Sequence, residues 1–152
     1  MKRTLAGLLL LGACTRTTKE VPVSAAPSPI TAISTPGAAP ANGPRPALDA
    51  FMSAIQSQDI QALGLAWGDK TGPVRDMHKL TREDLEQREL ILLKCLKFDK
   101  YRILTESPAA DGERVMTVEI TTGTRTRAAD FFSARGPDRW YVRTIEPPCS
   151  TK

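Results

Sequence analysis

Met116-Thr117-Val118-Glu119-Ile120-Thr121 alternates apolar and polar side chains without a break, and that period of two decides the fold class. A segment of this kind buries one face of a pleated strand and leaves the other face to solvent. Upstream, Tyr101, Ile103 and Thr105 alternate with Arg102, Leu104 and Glu106 in the same way. Asp111-Gly112 between the two runs supplies the residues that a tight hairpin turn needs. Downstream, Gly123 allows another reversal into a strand from about 125 to 134, and Arg135-Gly136-Pro137-Asp138 leads into a last strand, 139–145. The second half of the chain therefore predicts a four-stranded antiparallel meander.

The residues before it have a helical period. Leu48, Phe51, Met52 and Ile55 recur at steps of three and four and share a stripe, with Asp49, Ser53, Gln56 and Gln58 left for solvent. Asp59 is placed to cap a second short helix in which Ile60, Leu63 and Trp67 share a face, and Gly68 and Gly72-Pro73 stop it. Between 69 and 79 there is room for at most a brief extended segment. Thr81 and Asp84 form a variant capping box for a third helix, with Leu80 and Leu85 as a hydrophobic staple around it. Glu83 and Asp84 sit in its first turn while Lys94 and Lys97 lie near its end, the order the helix dipole favours. Leu85, Leu92 and Leu96 lie on one stripe, which Ile91, Leu93 and Cys95 broaden toward the C-terminal end. Helices followed by a meander give an α+β domain whose N-terminal helices cover one sheet face. On the third strand, Asp130 alternates with Ala128 and Phe132, and Arg127 with Ala129 and Phe131. Either face can be the buried one, because arginine stems tolerate partial burial.

The chain opens with Lys2 and Arg3, an apolar run of about ten residues and a small-residue approach to Cys14, which is the form of an export signal. A membrane-spanning helix needs roughly 20 apolar residues, so this run is too short to anchor the protein by itself. Leu11-Gly12-Ala13-Cys14 resembles the lipobox of bacterial lipoproteins. The resemblance implies cleavage before Cys14 and attachment of acyl chains to its sulfur. With Thr15 rather than aspartate following, it also implies the inner leaflet of the outer membrane in a didermal source, facing the periplasm. Each buried methylene contributes about 0.8 kcal/mol, so several acyl chains on one residue make a durable anchor. The expected organisation is a signal peptide at 1–13, the lipidated cysteine and a disordered Pro/Ala-rich tether at 14–46, a folded domain at 47–149 and a tail at 150–152. The tether reading rests on seven prolines between 22 and 46 and on the scarcity of large apolar side chains there.

With Cys14 committed to lipid, Cys95 and Cys149 remain, and an even remainder in an oxidising compartment points to a disulfide between them. Free thiols or an intermolecular bridge are the alternatives. Only His78 is available as an additional soft ligand, so no metal site is expected.

Ala47-Leu48-Asp49-Ala50-Phe51, then Gln58-Asp59-Ile60-Gln61-Ala62-Leu63, then Trp67-Gly68 resembles the helical opening of the NTF2-like superfamily. The aromatic last strand Arg139-Trp140-Tyr141-Val142-Arg143 fits the same pattern. The resemblance implies a strongly curved sheet that closes as a cone around a pocket. Tyr101, Asp130, Tyr141 and Arg143 would be the polar candidates for that pocket. No catalytic set of the superfamily maps onto this chain residue by residue.

The formal charge of +4 falls to about +2 once Lys2 and Arg3 leave with the signal, too mild a balance to predict nucleic-acid binding. His78 with Asp76 nearby is a conceivable general base, but no serine or cysteine nucleophile accompanies it, and a solvated loop pair is the simpler reading. There is no glycine-rich phosphate loop, zinc signature or internal repeat, and no cofactor is expected. The first expectation is a non-enzymatic envelope lipoprotein, held on the membrane by its lipid, that meets an envelope protein or holds a small apolar ligand. A small isomerase or hydrolase and a purely structural surface protein are the alternatives.

Overall fold

The computed structural model describes residues 41–78, 80–147 and 149. Cys14, the expected leader, the expected tether as far as residue 40 and the expected tail at 150–152 lie outside the described residues. The elements in order are α1 (Pro44–Ser57), α2 (Ile60–Ala66), β1 (Gly68–Asp69), β2 (Gly72–Pro73), α3 (Arg82–Cys95), β3 (Lys100–Pro108), β4 (Arg114–Thr122), β5 (Arg125–Arg135) and β6 (Trp140–Glu146). β1 and β2 form a small antiparallel hairpin, and β3 to β6 form the meander, each strand hydrogen-bonded to the next in sequence. Asp111 and Gly112 both adopt positive φ (57° and 75°) in the turn between β3 and β4. Only residues that tolerate the left-handed region fit there.

Alternation within the strands sets which face is covered. Met116, Val118 and Ile120 of β4 are in register with Phe131, Ala129 and Arg127 of β5, and the apolar members of this set are buried. Phe131 in turn pairs with Ile145 of β6. Onto this face packs α1, whose stripe of Leu48, Phe51, Met52 and Ile55 is buried. Phe51 meets Phe131 edge-on at 6.3 Å between ring centroids, a favoured aromatic geometry. Pro44 and Pro46 fall in the first turn of α1, where their missing N–H groups would have had no helical partner. An ion-pair cluster fixes that end of the helix: Glu106 of β3 accepts from Arg45 at 2.7 Å and from Arg114 of β4 at 3.0 Å. Those two guanidiniums, Arg45 first, hold the Glu106 carboxyl below its usual range.

The expected cone is not formed. Strand order is linear, β3-β4-β5-β6, with β3 and β6 as edges, and no sheet curves or closes on itself. The fold is α+β with three helices and two antiparallel sheets. The face that would have lined a hollow is filled by α1. The helical opening that carried the NTF2-like resemblance specifies a helix laid on a sheet, and nothing in it encodes closure.

At the β5–β6 end the other face is covered as well. Tyr141 is buried under the β1–β2 hairpin, and its hydroxyl donates to Asp138 Oδ1 at 2.6 Å. A Cβ on Gly136 would lie 2.5 Å from Tyr141 Cε2, and one on Gly68 2.9 Å from Cδ1, so the ring fits only because both neighbours are glycine. Gly136→Ala should destabilise the domain by about 1–3 kcal/mol, as overpacking does. Combined with Tyr141→Ala the two losses should fall well short of additive, as measured by thermal denaturation of the single and double variants.

Candidate functional site

Helix α3 is the least anchored of the long elements: the stripe expected from Leu85, Leu92 and its broadened C-terminal part is not buried as a single face. Only Glu89 and Leu93 of its 14 residues are buried. Thr81 caps the N-terminus by accepting from the Asp84 N–H at 3.1 Å. At the C-terminus, Arg127 of β5 donates to the Cys95 carbonyl at 3.0 Å, placing a cation where the dipole favours one. Cys95 is joined to Cys149, with their Cα atoms 5.7 Å apart, within the normal range for a disulfide. The bond ties the end of α3 to the segment that follows β6.

The face of α3 that meets α2 contains a carboxylate. Glu89 is buried against Gly64, where a Cβ would come within 2.6 Å of Glu89 Oε1. Burial pushes the Glu89 carboxyl above the usual range, and the nearby Arg75 offsets this only in part. Glycine at position 64 is what lets the two helices approach around that side chain.

The adjacent face of α3 borders a cleft. Arg88, Ile91, Leu92 and Cys95 recur at helical spacing, and the first three line a cavity of about 330 Å³ with Phe51, Trp67, Val142, Ile145 and Cys149. That volume lies at the lower end of the range for small-molecule sites. Trp67 closes one end: its indole N–H donates to the Arg143 carbonyl at 3.2 Å, and its backbone bridges Val142. The outer edge of β6 supplies the remaining wall through residues 142–145. The ionisable residues on the lining are two arginines. Arg143 also sits on this lining, but its guanidinium is paired with Glu113 at 2.8 Å and lies over the Phe132 ring. Arg88 is exposed and has no ion pair among the described residues.

The four polar candidates for the expected pocket are dispersed. Tyr101 is half-buried, donates to Asp49 Oδ1 at 2.7 Å and stands edge-on to Phe98. Burial, and then the Asp49 carboxylate, raise its pKa. Asp130 is on the sheet face away from α1, where Thr117 Oγ1 donates to it at 2.7 Å, so Ala129 and Phe131 form the buried face of β5. Tyr141 is locked under the hairpin, and burial together with the Asp138 carboxylate pushes its pKa up to about 12. Arg143 alone of the four borders the cleft. Asp76 and His78 are exposed in the connection before α3 and do not border it. In the sequence, Trp67, Ile91 and Leu92 read as parts of helical core stripes and Cys95 as a disulfide partner, and nothing singles out Arg88; the helical spacing of Arg88, Ile91 and Leu92 marks a cleft wall only once the partner strand is known.

Among the described residues no three His, Cys, Asp or Glu side chains gather as a candidate metal site, and no helix is long and apolar enough to cross a membrane. No known protein family and no curated protein matches the chain. A solved structure assigned as a calcium/calmodulin-dependent protein kinase type II association domain from Thiobacillus denitrificans is similar at 18% identity with a TM-score of 0.48. The match covers 71% of this chain and 95% of that one. A likeness of this size assigns no role.

Two outcomes follow from the anchoring of α3. Cys95→Ser and Cys149→Ser should lower the thermal midpoint equally, by the equivalent of about 4 kcal/mol on the loop-entropy estimate for a separation of 54 residues. Unequal losses would mean that one sulfur matters apart from the bond. Glu89 has a folded-state pKa raised above its unfolded value, so its contribution is intact below the unfolded pKa and is lost as pH rises through the folded one. Glu89→Gln should therefore raise the midpoint near pH 7 relative to the parent chain, and the difference should vanish by about pH 4, read from paired melts across that window.

Proposed function

We propose that this chain is a non-enzymatic lipoprotein of the bacterial cell envelope, anchored through lipid on Cys14. Its folded domain, carried on the Pro/Ala-rich tether, holds a small, largely apolar molecule in the cleft between α3 and β6. In a didermal source the anchor sits in the outer membrane and the domain faces the periplasm. The observation that carries the binding half of this reading is the cleft itself: about 330 Å³ bounded by Phe51, Trp67, Ile91, Leu92, Val142 and Ile145. A space of that size walled by apolar side chains favours a ligand able to remove that surface from water, at about 25 cal/mol for each Å² covered. The chemistry of the lining supports binding over turnover. Acid–base or nucleophilic catalysis needs a group that exchanges a proton or attacks, and arginine, always charged, does neither. The anchoring half rests on Leu11-Gly12-Ala13-Cys14, on the shortness of the apolar run before it and on the basic pair at its start.

Each half has its own test. Mass spectrometry of the protein extracted from membranes should find an acylated N-terminal Cys14, and Cys14→Ser should move the protein out of the membrane fraction. An unmodified cysteine, or a leader still attached, would overturn the anchoring. Native mass spectrometry of the intact protein should find a small molecule retained at one per chain, and Leu92→Arg, which places a charge in the cleft, should abolish retention. A protein that retains nothing and shows no saturable binding of apolar probes is a structural domain with a vacant gap.

A further inference from the structure

We propose that the cleft between α3 and β6 takes a single-chain amphiphile with an anionic head, a carboxylate or a phosphate. Its chain would lie among Phe51, Ile91, Leu92, Val142 and Ile145, and its head would meet Arg88. This rests on the small-ligand reading above and narrows it to a ligand class.

The argument begins with the distribution of charge on the lining. Arg88 and Arg143 are its ionisable members, and they differ in what they face. The Arg143 guanidinium is committed to Glu113, with Nε and Nη2 donating to the two carboxylate oxygens at 2.8 and 2.9 Å. Arg88 has no carboxylate within ion-pair distance among the described residues; Arg75, Arg125, Arg127 and Arg135 have none either, but of these five only Arg88 lines the cleft. A guanidinium offers a planar fork of donors that matches a carboxylate or phosphate with two parallel hydrogen bonds. Set beside an apolar cavity and left unmatched, it completes a site whose complement is greasy at one end and negative at the other.

The helix geometry brings the two ends together. Arg88, Ile91 and Leu92 share a face of α3, so a head held at Arg88 starts the chain one helical turn from the apolar lining. The cavity volume fits a chain of moderate length: about 330 Å³ is room for on the order of ten water-sized groups, and a methylene is of similar size. Trp67 and Cys149 are also on the lining, so the space beside Arg88 is walled mainly by apolar groups. A cationic amphiphile of equal length would bury the same surface but would meet the uncompensated charge of Arg88.

The test uses the full chain carrying Cys14→Ser, with the Cys95–Cys149 bond intact and Trp140→Phe, so that Trp67 alone reports from the cleft. Decanoate, decyl phosphate, decyl trimethylammonium and decyl maltoside are titrated below the concentrations at which they form micelles. Decanoate, decyl phosphate or both should change Trp67 emission saturably, while the ammonium compound binds at least about tenfold more weakly. Arg88→Gln should weaken the anions by about 10–100-fold, the equivalent of a charge-assisted hydrogen bond, and leave the maltoside within about twofold. The tighter of the two anions distinguishes a fatty-acid head from a phospholipid-derived one. Arg88 is exposed, so the variant should keep the parent thermal midpoint. Equal binding of all four probes, or an equal loss across them in Arg88→Gln, would overturn the anionic-head assignment and leave the apolar cleft standing. The absence of saturable change with any probe would overturn both.

Discussion

The bond between Cys95 and Cys149 holds together the part of this molecule that packing alone holds weakly. Helix α1 is kept in place by a row of large apolar side chains against the sheet, and α2 follows it closely. Helix α3 has no comparable face: it buries a leucine and a carboxylate, and Ile91 and Leu92, only partly buried, border the cleft. Its position is set at its ends, by a threonine cap at one and by the disulfide and an arginine at the other. A helix fixed in this way can stand off the sheet without collapsing onto it, and the gap that remains is the cleft. Packed interiors normally close such gaps, because each unfilled volume forfeits dispersion contacts.

What the sequence made legible and what it hid follow from which interactions are local. The alternation in Met116–Thr121, the Asp111-Gly112 turn and the caps at Asp59 and Thr81 each depend on neighbours a few residues away, and all were readable; the alternation expected over Tyr101–Glu106 holds only to Ile103, where a bulge leaves Thr105 exposed and brings Glu106 to the partly covered face. The burial of Ala129 and Phe131 rather than Ala128 and Phe132 was not. Arg127 sits on the inward register yet is exposed and reaches the end of α3, which blurs the pattern at the point where it would have decided the face. Closure of the sheet could not be read from strand periods either, since it depends on how strands tilt and stagger around an axis. The helical opening matched a family pattern whose distinguishing feature lies elsewhere in the chain. The cleft was hidden for a further reason. One wall is a helix stripe and the other is the edge of the last strand, about fifty residues later in the sequence.

The two tyrosine–aspartate contacts show how polar groups are used in this fold. Tyr101 and Tyr141 each end on an aspartate, at 2.7 and 2.6 Å. In both cases a large ring contributes burial while its hydroxyl is satisfied by a partner that reaches water. These residues join elements: Tyr101 ties β3 to α1, and Tyr141 ties β6 to the turn before it. Their raised pKa values record burial and a neighbouring carboxylate, the surroundings of a strut. Displaced ionisation by itself marks an environment, and here the environment is structural.

Strand β3 lies at the open margin of the meander, and its composition bears on how copies of the protein coexist. Lys100 and Arg102 place positive charge along it, a bulge between Ile103 and Thr105 interrupts its hydrogen-bonding rhythm, and Pro108 ends it without a donor. Each of these discourages a foreign strand from zipping alongside. Wherever many copies are crowded together, that margin would otherwise be the natural seam for runaway association, and its irregularity lets neighbours sit side by side as separate molecules.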